Sequence, residues 1–356
     1  MKKVKVGILG ATGAVGQRFV SLLSEHPWFE VNFLLASQKS SGKFYKKAVR
    51  WILDQDLPVN IGDLKVYSFD DVSKNKELIK DLFLVFSGLD SSVALDIEKY
   101  FANEGIHVVS NSKNHRMEKY IPLLIPEINY EHIKLIYSQD TKGKIITNPN
   151  CSTTFFTLIA GILNKKWPID SISVTTMQAI SGAGYPGVAS YDIFDNVIPF
   201  IPGEEEKMES EPLKILGKFE KNGINYSDIK ISASANRVGV IDGHLESVFI
   251  NFKDIKPSIE QIKNELKNFN SPLFDLELPS AHRKPIRVFD DFNRPQSRLD
   301  RNFLNGMGVN VGRIRKDNIF DVKMTILGHN TIKGAAGGAV LNSELLLKEL
   351  LLVNIY

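Results

Sequence analysis

A glycine-rich turn lies near the start of the chain, between a short apolar run and an amphipathic segment. Val4–Leu9 is almost wholly apolar, which predicts a buried strand. Gly10–Gly16 follows with the spacing G-x-x-G-x-x-G, and Val15–Leu23 continues with apolar residues at helical spacing. A strand, a glycine turn and a helix start in this order can receive a dinucleotide pyrophosphate on backbone N–H groups. The start of the chain therefore predicts a Rossmann-type domain.

Strands and helices are predicted to alternate over the first part of the chain. Apolar, strand-like runs occur at 31–36, 82–86 and 107–110, and residues 95–104 have helical spacing. Strands of a parallel sheet that is covered on both faces are apolar throughout. We therefore predict an α/β domain with a doubly wound parallel sheet over residues 1–150.

The pattern changes in the second part of the chain. Longer strands with β-branched alternation are predicted at 171–179, 229–235, 246–252 and 318–327, with helices near 204–220 and 257–269. This pattern is typical of an α+β domain with a mainly antiparallel sheet, which we assign to residues 151–330 as a catalytic and oligomerisation domain. Residues 334–351 are apolar at helical spacing, and we expect the C-terminal helix, 331–356, to pack back on the first domain.

Composition narrows the class of protein. A chain of 356 residues is long for one hydrophobic core, and its 43% hydrophobic and 24% charged residues are typical of a soluble globular protein. The net charge of +3 comes from dispersed residues and does not indicate nucleic acid or a membrane as a partner. No apolar run approaches the ~18 residues of a membrane span. A single cysteine excludes an internal disulfide and a multi-thiolate zinc site, so we expect a cytoplasmic protein without a metal.

Cys151, the single cysteine, lies where a strand is predicted to end and a helix to begin. The β-branched run 145–147 is followed by Asn-Pro-Asn, the cysteine and a Ser/Thr-rich segment. A thiol at a helix N-terminus is more easily ionised, and the first-turn N–H groups can stabilise an oxyanion built on the sulfur. A buried structural cysteine is the alternative. Position alone does not separate the two interpretations.

The segment after the second predicted strand indicates which dinucleotide binds. An NAD-preferring site usually has an acidic residue about 20 residues beyond the glycine turn, to bind the ribose hydroxyls. No Asp or Glu occurs from Val31 to Leu53. The strand ends instead at Ser37, Ser40 follows, and the basic residues there are Lys39, Lys43, Lys46, Lys47 and Arg50. Hydroxyls and cations favour a 2′-phosphate, so we predict NADP; a solvated basic loop is the alternative.

Polar residues downstream of the cysteine are candidates for binding and catalysis. Gln178 precedes the glycine-rich segment Ser181–Gly187, which predicts a loop that a ligand can approach closely. Arg237 can hold a carboxylate with two hydrogen bonds, and His244 can act as a general base. A histidine alone is more often a structural, hydrogen-bonded residue, so these types do not establish a site.

Two further segments are ambiguous. Glu204 and Lys207 lie in an acidic run that is typical of a solvated helical face. Ser110–Arg116 has the composition of an ordinary polar loop. Neither segment indicates a function on its own.

Taken together, these segments resemble the aspartate-semialdehyde dehydrogenase family, particularly its archaeal and fungal branch. Asn-Pro-Asn-Cys-Ser-Thr is the most specific of the motifs. The matching segments follow one another over essentially the whole chain: Gly10–Gly16, Ser110–Arg116, Asn148–Thr153, Gln178–Gly187, Glu204–Lys207, Arg237–His244 and Gly328–Asn330.

The resemblance implies a reaction and assigns roles to residues. Family members convert L-aspartate 4-semialdehyde and phosphate to 4-phospho-L-aspartate with reduction of NADP, and biosynthesis runs the reverse. Cys151 would be the nucleophile, His244 the acid/base, and Gln178 would orient the acyl group. The implied substrate-binding residues are Arg237 for the α-carboxylate, Glu204 for the ammonium group, and Lys207, Arg116 and Asn150 for phosphate. The expected cofactor-binding residues are Gly10, Thr12, Gly13, Ala14, Val15, Ser37, Ser40, Gly182 and Asn330.

Alternative functions remain open at this point. A malonyl-CoA reductase would share the scaffold and the thiol, but its substrate lacks an ammonium group for Glu204. Reductases of other acyl phosphates, such as glyceraldehyde phosphate or N-acetylglutamyl phosphate, fit the motifs less well. A non-catalytic NADP-binding sensor predicts the loss of Cys151, Gln178, Arg237 or His244, and all four are present. Family members are dimers or tetramers, so we expect a homo-oligomer, although no interface is predicted.

Overall fold

The structure is a computed structural model that describes residues 3–221 and 223–353. It divides into two compact units. The first comprises Met1–Pro122 and Ile133–Asn148, and the second comprises Leu123–His132 and Pro149–Tyr356.

The described part of the first unit contains a parallel sheet with the order β3-β2-β1-β4-β5-β6. Its strands are β1 (Val4–Leu9), β2 (Phe29–Leu35), β3 (Val66–Tyr67), β4 (Leu84–Ser87), β5 (His107–Ser110) and β6 (Ile145–Thr147). The strand order reverses beside β1, as in a doubly wound fold, where ligands bind beyond the carboxyl ends of the strands. The predicted α/β class of this part is confirmed.

Short helices connect these strands. They are α1 (Ala14–Leu23), α2 (Tyr45–Ala48), α3 (Val59–Gly62), α4 (Phe69–Lys74) and α5 (Ser91–Asn103). Within α1, Phe19 and Val20 are fully buried, as are Phe101 and Ala102 in α5. Their burial holds both helices firmly, so the turn that leads into α1 has a rigid base.

The second unit is built on a mixed sheet. Its order, over the described residues, is β10-β7-β11-β14-β13-β12, and a hairpin of β8 and β9 lies outside it. The strands are β7 (Ile169–Gln178), β8 (Lys218–Glu220), β9 (Gly223–Asn225), β10 (Lys230–Arg237), β11 (His244–Phe252), β12 (Ile286–Val288), β13 (Val309–Arg315) and β14 (Val322–Gly328). The β7–β11, β11–β14 and β13–β14 pairs are antiparallel, whereas β10–β7 and β12–β13 are parallel. The predicted mainly antiparallel sheet is confirmed.

One helix of the second unit, α7 (Cys151–Asn164), is almost entirely buried and packs on this sheet. The helices of the second unit are α6 (Pro126–Asn129), α7 (Cys151–Asn164), α8 (Ser190–Ile193), α9 (Glu204–Ile215), α10 (Ile259–Asn268), α11 (Ser297–Asp300) and α12 (Gly337–Val353). All residues of α7 from Ser152 to Leu163 are buried. A π-turn, Ile332–Ala336, leads into α12. Because α7 is surrounded by the core, its first residue is held in one place.

Some elements differ from their predicted extents. The helix predicted near 204–220 ends at Ile215, and the chain then forms the β8–β9 hairpin. A Cβ at Gly217 would lie 2.5 Å from the Ile224 side chain and 2.6 Å from the Asn225 carbonyl, so only glycine permits this tight return. The strand predicted at 318–327 begins at Val322, and β3, β12 and β13 were not predicted.

The segment Leu123–His132 belongs to the second unit, although the sequence assigns it to the first domain. Leu123, Ile125 and Ile128 join the hydrophobic core of the second unit. Helix α12 also belongs to that unit and contacts α6. The domain limits 1–150 and 151–330 stay predictions, as does the packing of 331–356 on the first domain. Residues 354–356 lie outside the described part.

Among the helices of residues 3–221 and 223–353, none combines the length and the apolar character that a membrane crossing requires.

Candidate active site

Three strands of the second unit bring Gln178, Arg237 and His244 to one edge of the sheet. Gln178 and Arg237 end β7 and β10, and these parallel strands pair the two residues directly. β11 is antiparallel to β7 and begins at His244, so its first residue lies at the same edge. The strand directions alone therefore assemble three of the predicted site residues.

Cys151 is the first residue of α7 and is half-buried. The preceding residue, Asn150, caps the helix, and its side-chain oxygen accepts the N–H groups of Ser152 at 3.0 Å and Thr153 at 3.2 Å. The thiol thus lies at the positive end of a buried 14-residue helix, which favours negative charge there. The predicted helix start at the cysteine is confirmed.

His244 contacts the thiol directly and is fully buried. Its Nε2 atom lies 3.2 Å from the Cys151 Sγ atom, and its Nδ1 atom accepts the main-chain N–H of Ala179 at 3.0 Å. Because a main-chain N–H can only donate, Nδ1 carries no proton in this arrangement. The proton of the neutral imidazole is then on Nε2 and is directed at the sulfur. His244 is therefore arranged to donate a hydrogen bond to a thiolate.

The surroundings of His244 keep it neutral. Burial, with the positive charge of Arg237, lowers the pKa of His244 from 6.5 to about 3, and the Glu204 charge opposes this only in part. Doubly protonated imidazole would also lose the Ala179 hydrogen bond. At neutral pH the site contains a neutral imidazole, and the predicted acid/base role of His244 stays a prediction.

Arg237 provides a buried cation beside this pair, with 6% of its surface exposed. Its Nη1 atom donates to the Ala179 carbonyl at 2.9 Å. Burial lowers the pKa of Arg237, and the charges of Cys151 and Glu204 oppose that shift. A Cβ at Gly182 would lie 2.8 Å from Nη1 and 3.3 Å from His244 Cε1, so glycine lets the loop pass closely over both.

Helix α9 contributes a carboxylate, that of Glu204, and an ammonium group, that of Lys207, near its start. The Glu204 carboxylate accepts hydrogen bonds from the side-chain amides of Asn150 at 2.8 Å and Gln178 at 3.2 Å, and it forms an ion pair with Lys207. Burial raises the pKa of Glu204, but the Lys207 charge and these hydrogen bonds outweigh it, so the pKa lies below its ordinary value. An ionised acid therefore connects α9 to the cysteine helix.

The side chains of Asn150 and Asn330 both accept hydrogen bonds from main-chain N–H groups. Asn150 caps α7 and binds Glu204, so its predicted contact with phosphate stays a prediction. The Asn330 side chain accepts the Gly243 N–H at 2.8 Å and donates to the Ser181 hydroxyl at 2.8 Å. Asn330 thereby links the loops on either side of the site, and its predicted contact with the cofactor also stays a prediction.

The glycine turn of the first unit has the geometry that a dinucleotide needs. Gly10 adopts a φ of +75°, and a Cβ there would lie 2.8 Å from the Gly88 carbonyl. A Cβ at Gly16 would overlap the Gly10 carbonyl. Thr12 lies in this turn, and α1 begins at Ala14, followed by Val15, with Gly13 at the cap and no side-chain cap. A helix start without a capping side chain or an acid fits a pyrophosphate.

Two residues that the sequence did not indicate support this turn from behind. The Tyr45 hydroxyl donates to the Ala11 carbonyl at 2.7 Å, and Gln17 Nε2 donates to the Thr12 carbonyl at 3.0 Å. Burial raises the pKa of the Tyr45 phenol, so it remains a donor. The sequence did not indicate Tyr45 and Gln17, because a side chain that binds main-chain carbonyls has no partner that can be recognised by residue type.

Ser37 precedes and Ser40 ends a short 3₁₀ helix, Gln38–Ser40, that follows β2. The Ser40 N–H donates to the Ser37 carbonyl at 2.9 Å. The neighbouring Lys43 ammonium donates to the Lys39 carbonyl at 2.8 Å, which keeps its positive charge beside this turn. Two hydroxyls and two cations at the end of β2 fit a 2′-phosphate rather than a 2′-hydroxyl.

Arg116 lies in the polar segment after β5, where its Nη2 atom donates to the Asn111 carbonyl at 2.7 Å. It is 7% exposed. The segment is therefore ordered around the guanidinium, and phosphate binding by Arg116 stays a prediction.

Gly334 was not among the predicted site residues, although it lies against the nucleophile. A Cβ there would lie 2.9 Å from Cys151 Cβ and 3.1 Å from Cys151 Cα. Gly334 belongs to the π-turn before α12, and such turns often occur at functional sites. A glycine at the start of a helical pattern was the available signal.

Metal ligation has no support in the part of the chain that the structure describes. Over these residues no group of three or more His, Cys, Asp or Glu side chains could hold a metal ion.

Family models match both parts of the chain. The model for the semialdehyde dehydrogenase NAD binding domain matches residues 5–136, and the model for the semialdehyde dehydrogenase dimerisation domain matches residues 159–333.

Relatives with known names match almost the whole chain. Aspartate-semialdehyde dehydrogenase of Archaeoglobus fulgidus is 46% identical over 98% of this chain and 99% of its own, and that of Saccharomyces cerevisiae is 45% identical over 97% and 98%. The crystal structure of the Candida albicans aspartate-semialdehyde dehydrogenase with NADP has a TM-score of 0.90 at 43% identity, covering 98% of this chain and 99% of that one. The chain therefore belongs to the aspartate-semialdehyde dehydrogenase family.

Proposed function

We propose that the protein oxidises L-aspartate 4-semialdehyde with phosphate and NADP to 4-phospho-L-aspartate and NADPH, and catalyses the reverse reaction in lysine, threonine and methionine biosynthesis. The observation that carries this proposal is the Cys151 sulfur 3.2 Å from His244 Nε2 at a helix N-terminus, beside Arg237 and Glu204. Relatives that share 46% of its residues bear the name of this activity.

In the oxidative direction the Cys151 thiolate attacks the aldehyde carbon, and a carbon–sulfur bond forms as the carbonyl oxygen takes up the negative charge. The positive end of the α7 dipole favours the negative charge on that oxygen. His244 donates its Nε2–H to the sulfur before the attack and again when the thiolate leaves.

NADP, when bound, would supply the acceptor for the hydride of the hemithioacetal carbon, and the acyl group would then remain on Cys151 as a thioester. Gln178 lies beside Arg237 at the sheet edge, and we assign it to orienting the acyl group. Phosphate oxygen then attacks the thioester carbon, and the carbon–sulfur bond breaks to restore the thiolate. Lys207 and Arg116 are the cations that we assign to phosphate.

The charges of the site match those of the aspartyl group. Arg237 is a buried cation whose guanidinium can bind the α-carboxylate with two donors. Glu204 is ionised and fits the α-ammonium group, for which its pair with Lys207 must open or be shared. A substrate that carries both charges uses both residues.

A malonyl-CoA reductase is the alternative on the same scaffold. Its substrate has no ammonium group, so Glu204 would remain bound to Lys207, Asn150 and Gln178 without a role. A non-catalytic sensor gives no reason for the contact between Cys151 and His244. Both alternatives explain fewer of the contacts than the aspartyl reaction does.

We further propose that the protein is a cytoplasmic homodimer or homotetramer. Large apolar side chains are exposed on the segment between Gln178 and Glu204, namely those of Tyr191 at 97%, Phe194 at 74%, Val197 at 56% and Phe200 at 60%. Exposed apolar groups at this density favour a protein interface, and the matched dimerisation model includes the segment.

The decisive assay follows NADPH absorbance with aspartate semialdehyde, phosphate and NADP, and compares it with NADPH oxidation by malonyl-CoA. We expect rapid turnover with the aspartyl substrate that depends on phosphate and is lost in Cys151→Ala. Turnover with malonyl-CoA alone would reject the substrate assignment, and full turnover of Cys151→Ala would reject the thioester.

A further inference from the structure

A second carboxylate of α9 binds the main chain one residue before the nucleophile. Glu211 is 1% exposed, and its Oε2 atom accepts the main-chain N–H of Asn150 at 2.7 Å. Asn150 directly precedes Cys151. A carboxylate taken out of water requires donors of this kind, so the contact is one that both groups need.

The main-chain N–H, the main-chain carbonyl and the side-chain amide of Asn150 all form hydrogen bonds within one network. Its N–H donates to Glu211, its carbonyl accepts the Thr154 N–H at 3.1 Å, and its side chain caps α7 and donates to Glu204. The residue before the nucleophile is therefore held by its backbone and its side chain at once. A shift of Asn150 would therefore also shift Cys151, the next residue in the chain.

Glu204 and Glu211 are seven residues apart on α9, so they lie on one face of the helix, two turns from each other. Both hold Asn150, Glu204 through the side chain and Glu211 through the backbone. The helix itself is fixed to the edge strand β10, because Glu205 accepts the Ala235 N–H at 2.9 Å and Glu209 accepts the Ala233 N–H at 3.0 Å. Helix α9 is thus a rigid support for the cysteine helix.

We propose that Glu211 is a positioning residue, whose hydrogen bond to the Asn150 N–H holds Cys151 Sγ at its distance from His244 Nε2. It acts through Asn150 and touches neither substrate nor cofactor. Glu204 and Lys207, which we assign to substrate and phosphate, lie at the start of α9. Glu211 and Lys214 repeat the same spacing seven residues later, and both are 1% exposed. The inference rests on Cys151 as the nucleophile in the proposed function.

The test compares Glu211→Gln with Glu211→Met in the full-length enzyme. Both variants are neutral and of similar size, but only Gln retains an oxygen that can accept the Asn150 N–H. The pH at which Cys151 reacts half-maximally with iodoacetamide reports the hydrogen bond that stabilises the thiolate. We expect this midpoint to be higher in Glu211→Met than in Glu211→Gln by about one pH unit. We also expect kcat to be about tenfold lower in the Met variant, with similar KM for aspartate semialdehyde.

Glu209 supplies the matched control, since it makes the same type of hydrogen bond from the same helix to a strand away from Cys151. Glu209→Gln and Glu209→Met should have equal alkylation midpoints, even if their melting temperatures differ. Glu211→Asp is the second variant should Glu211→Met not fold. It retains the charge but withdraws the acceptor by one methylene, so its midpoint should rise above that of wild type.

Equal midpoints and equal kcat in Glu211→Gln and Glu211→Met, or a wild-type midpoint in Glu211→Asp, would overturn the proposal. The alkylation readout needs no substrate. A different substrate for the enzyme would therefore change the kinetic result but not the difference in midpoint.

Discussion

At the nucleophile, one main-chain donor determines what the histidine can do. The Ala179 N–H occupies Nδ1 of His244, which leaves the proton of the neutral ring on Nε2, 3.2 Å from Cys151 Sγ. The side chain is fully buried, and burial lowers its pKa to about 3. The chemistry of the pair therefore depends on an imidazole that donates to sulfur while it remains neutral.

The lowered pKa of His244 predicts how stability depends on pH. Between about pH 3 and 6.5 the unfolded chain binds a proton at this residue that the folded protein excludes, so stability falls as the pH decreases through this window. In His244→Asn this contribution is absent. We expect wild type to lose more stability than the variant by about 1.4 kcal/mol per pH unit within the window.

Urea unfolding at pH 7 and pH 4.5 measures this difference. His282→Asn is a suitable control, because that histidine is only partly buried, whereas His244 is fully buried. Equal losses in wild type and His244→Asn between the two pH values would show that the buried imidazole is not neutral in the folded protein.

Sequence indicates the side chains of this site better than their supports. Cys151, Gln178, Arg237 and His244 were identified from motif order, and strand direction brings three of them to one sheet edge. The Ala179 N–H was not predictable, since a backbone donor has no signature in residue type. The main-chain carbonyls that bind Tyr45 and Gln17 could not be predicted for the same reason, since they too are backbone atoms.

At the scale of elements, the start of α7 depends on what packs against it. The π-turn Ile332–Ala336 approaches Cys151 so closely that Gly334 cannot carry a side chain. The pattern predicted one helix over 334–351, and the turn before it could not be predicted because it results from packing between two distant segments. The β8–β9 hairpin that shortens α9 has a similar origin, in the tight contact at Gly217.

Gly334→Ala should damage the site more than the added methyl group would suggest. Its Cβ would lie 2.9 Å from Cys151 Cβ and 3.1 Å from Cys151 Cα, so either the π-turn or the nucleophile must move. We expect kcat to fall by about tenfold to a hundredfold, because small displacements of a reacting group have effects of that size. Steady-state kinetics and a thermal melt of the variant measure both consequences.

Gly239→Ala controls for the general effect of a new methyl group. The nearest atom to a Cβ there is the Ile193 carbonyl oxygen at 3.5 Å, which is ordinary contact. Near wild-type kcat in Gly334→Ala would show that the contact with Cys151 is not restrictive.

At the scale of the whole molecule, the two predicted fold classes are confirmed, but the path of the chain is more complex. Alternating strands and helices predict the parallel sheet of the first unit, since local patterns determine its strands. Leu123–His132 joins the core of the second unit through Leu123, Ile125 and Ile128, and it precedes β6 of the first. Such an excursion depends on long-range packing that residue types alone do not reveal.

The exposed apolar segment of the second unit predicts an oligomer. Tyr191, Phe194 and Phe200 should be covered by a second copy of the chain, because several large apolar side chains exposed on one segment usually form a protein interface. Light scattering at micromolar concentration should give a dimer or tetramer mass for wild type and a smaller mass for Phe194→Asp combined with Phe200→Asp. Val59→Asp, at a position that is 79% exposed in the first unit, should leave the mass unchanged. A monomeric wild type would contradict the prediction.

The most direct test of the central claim is a single turnover without phosphate. Enzyme mixed with aspartate semialdehyde and NADP should release about one NADPH per active site and then stop, and peptide mass spectrometry should find the aspartyl group on Cys151. Addition of phosphate should remove the adduct and restart NADPH formation. An equivalent burst in Cys151→Ala, or a burst that leaves the acyl group on another residue, would contradict a thioester at Cys151.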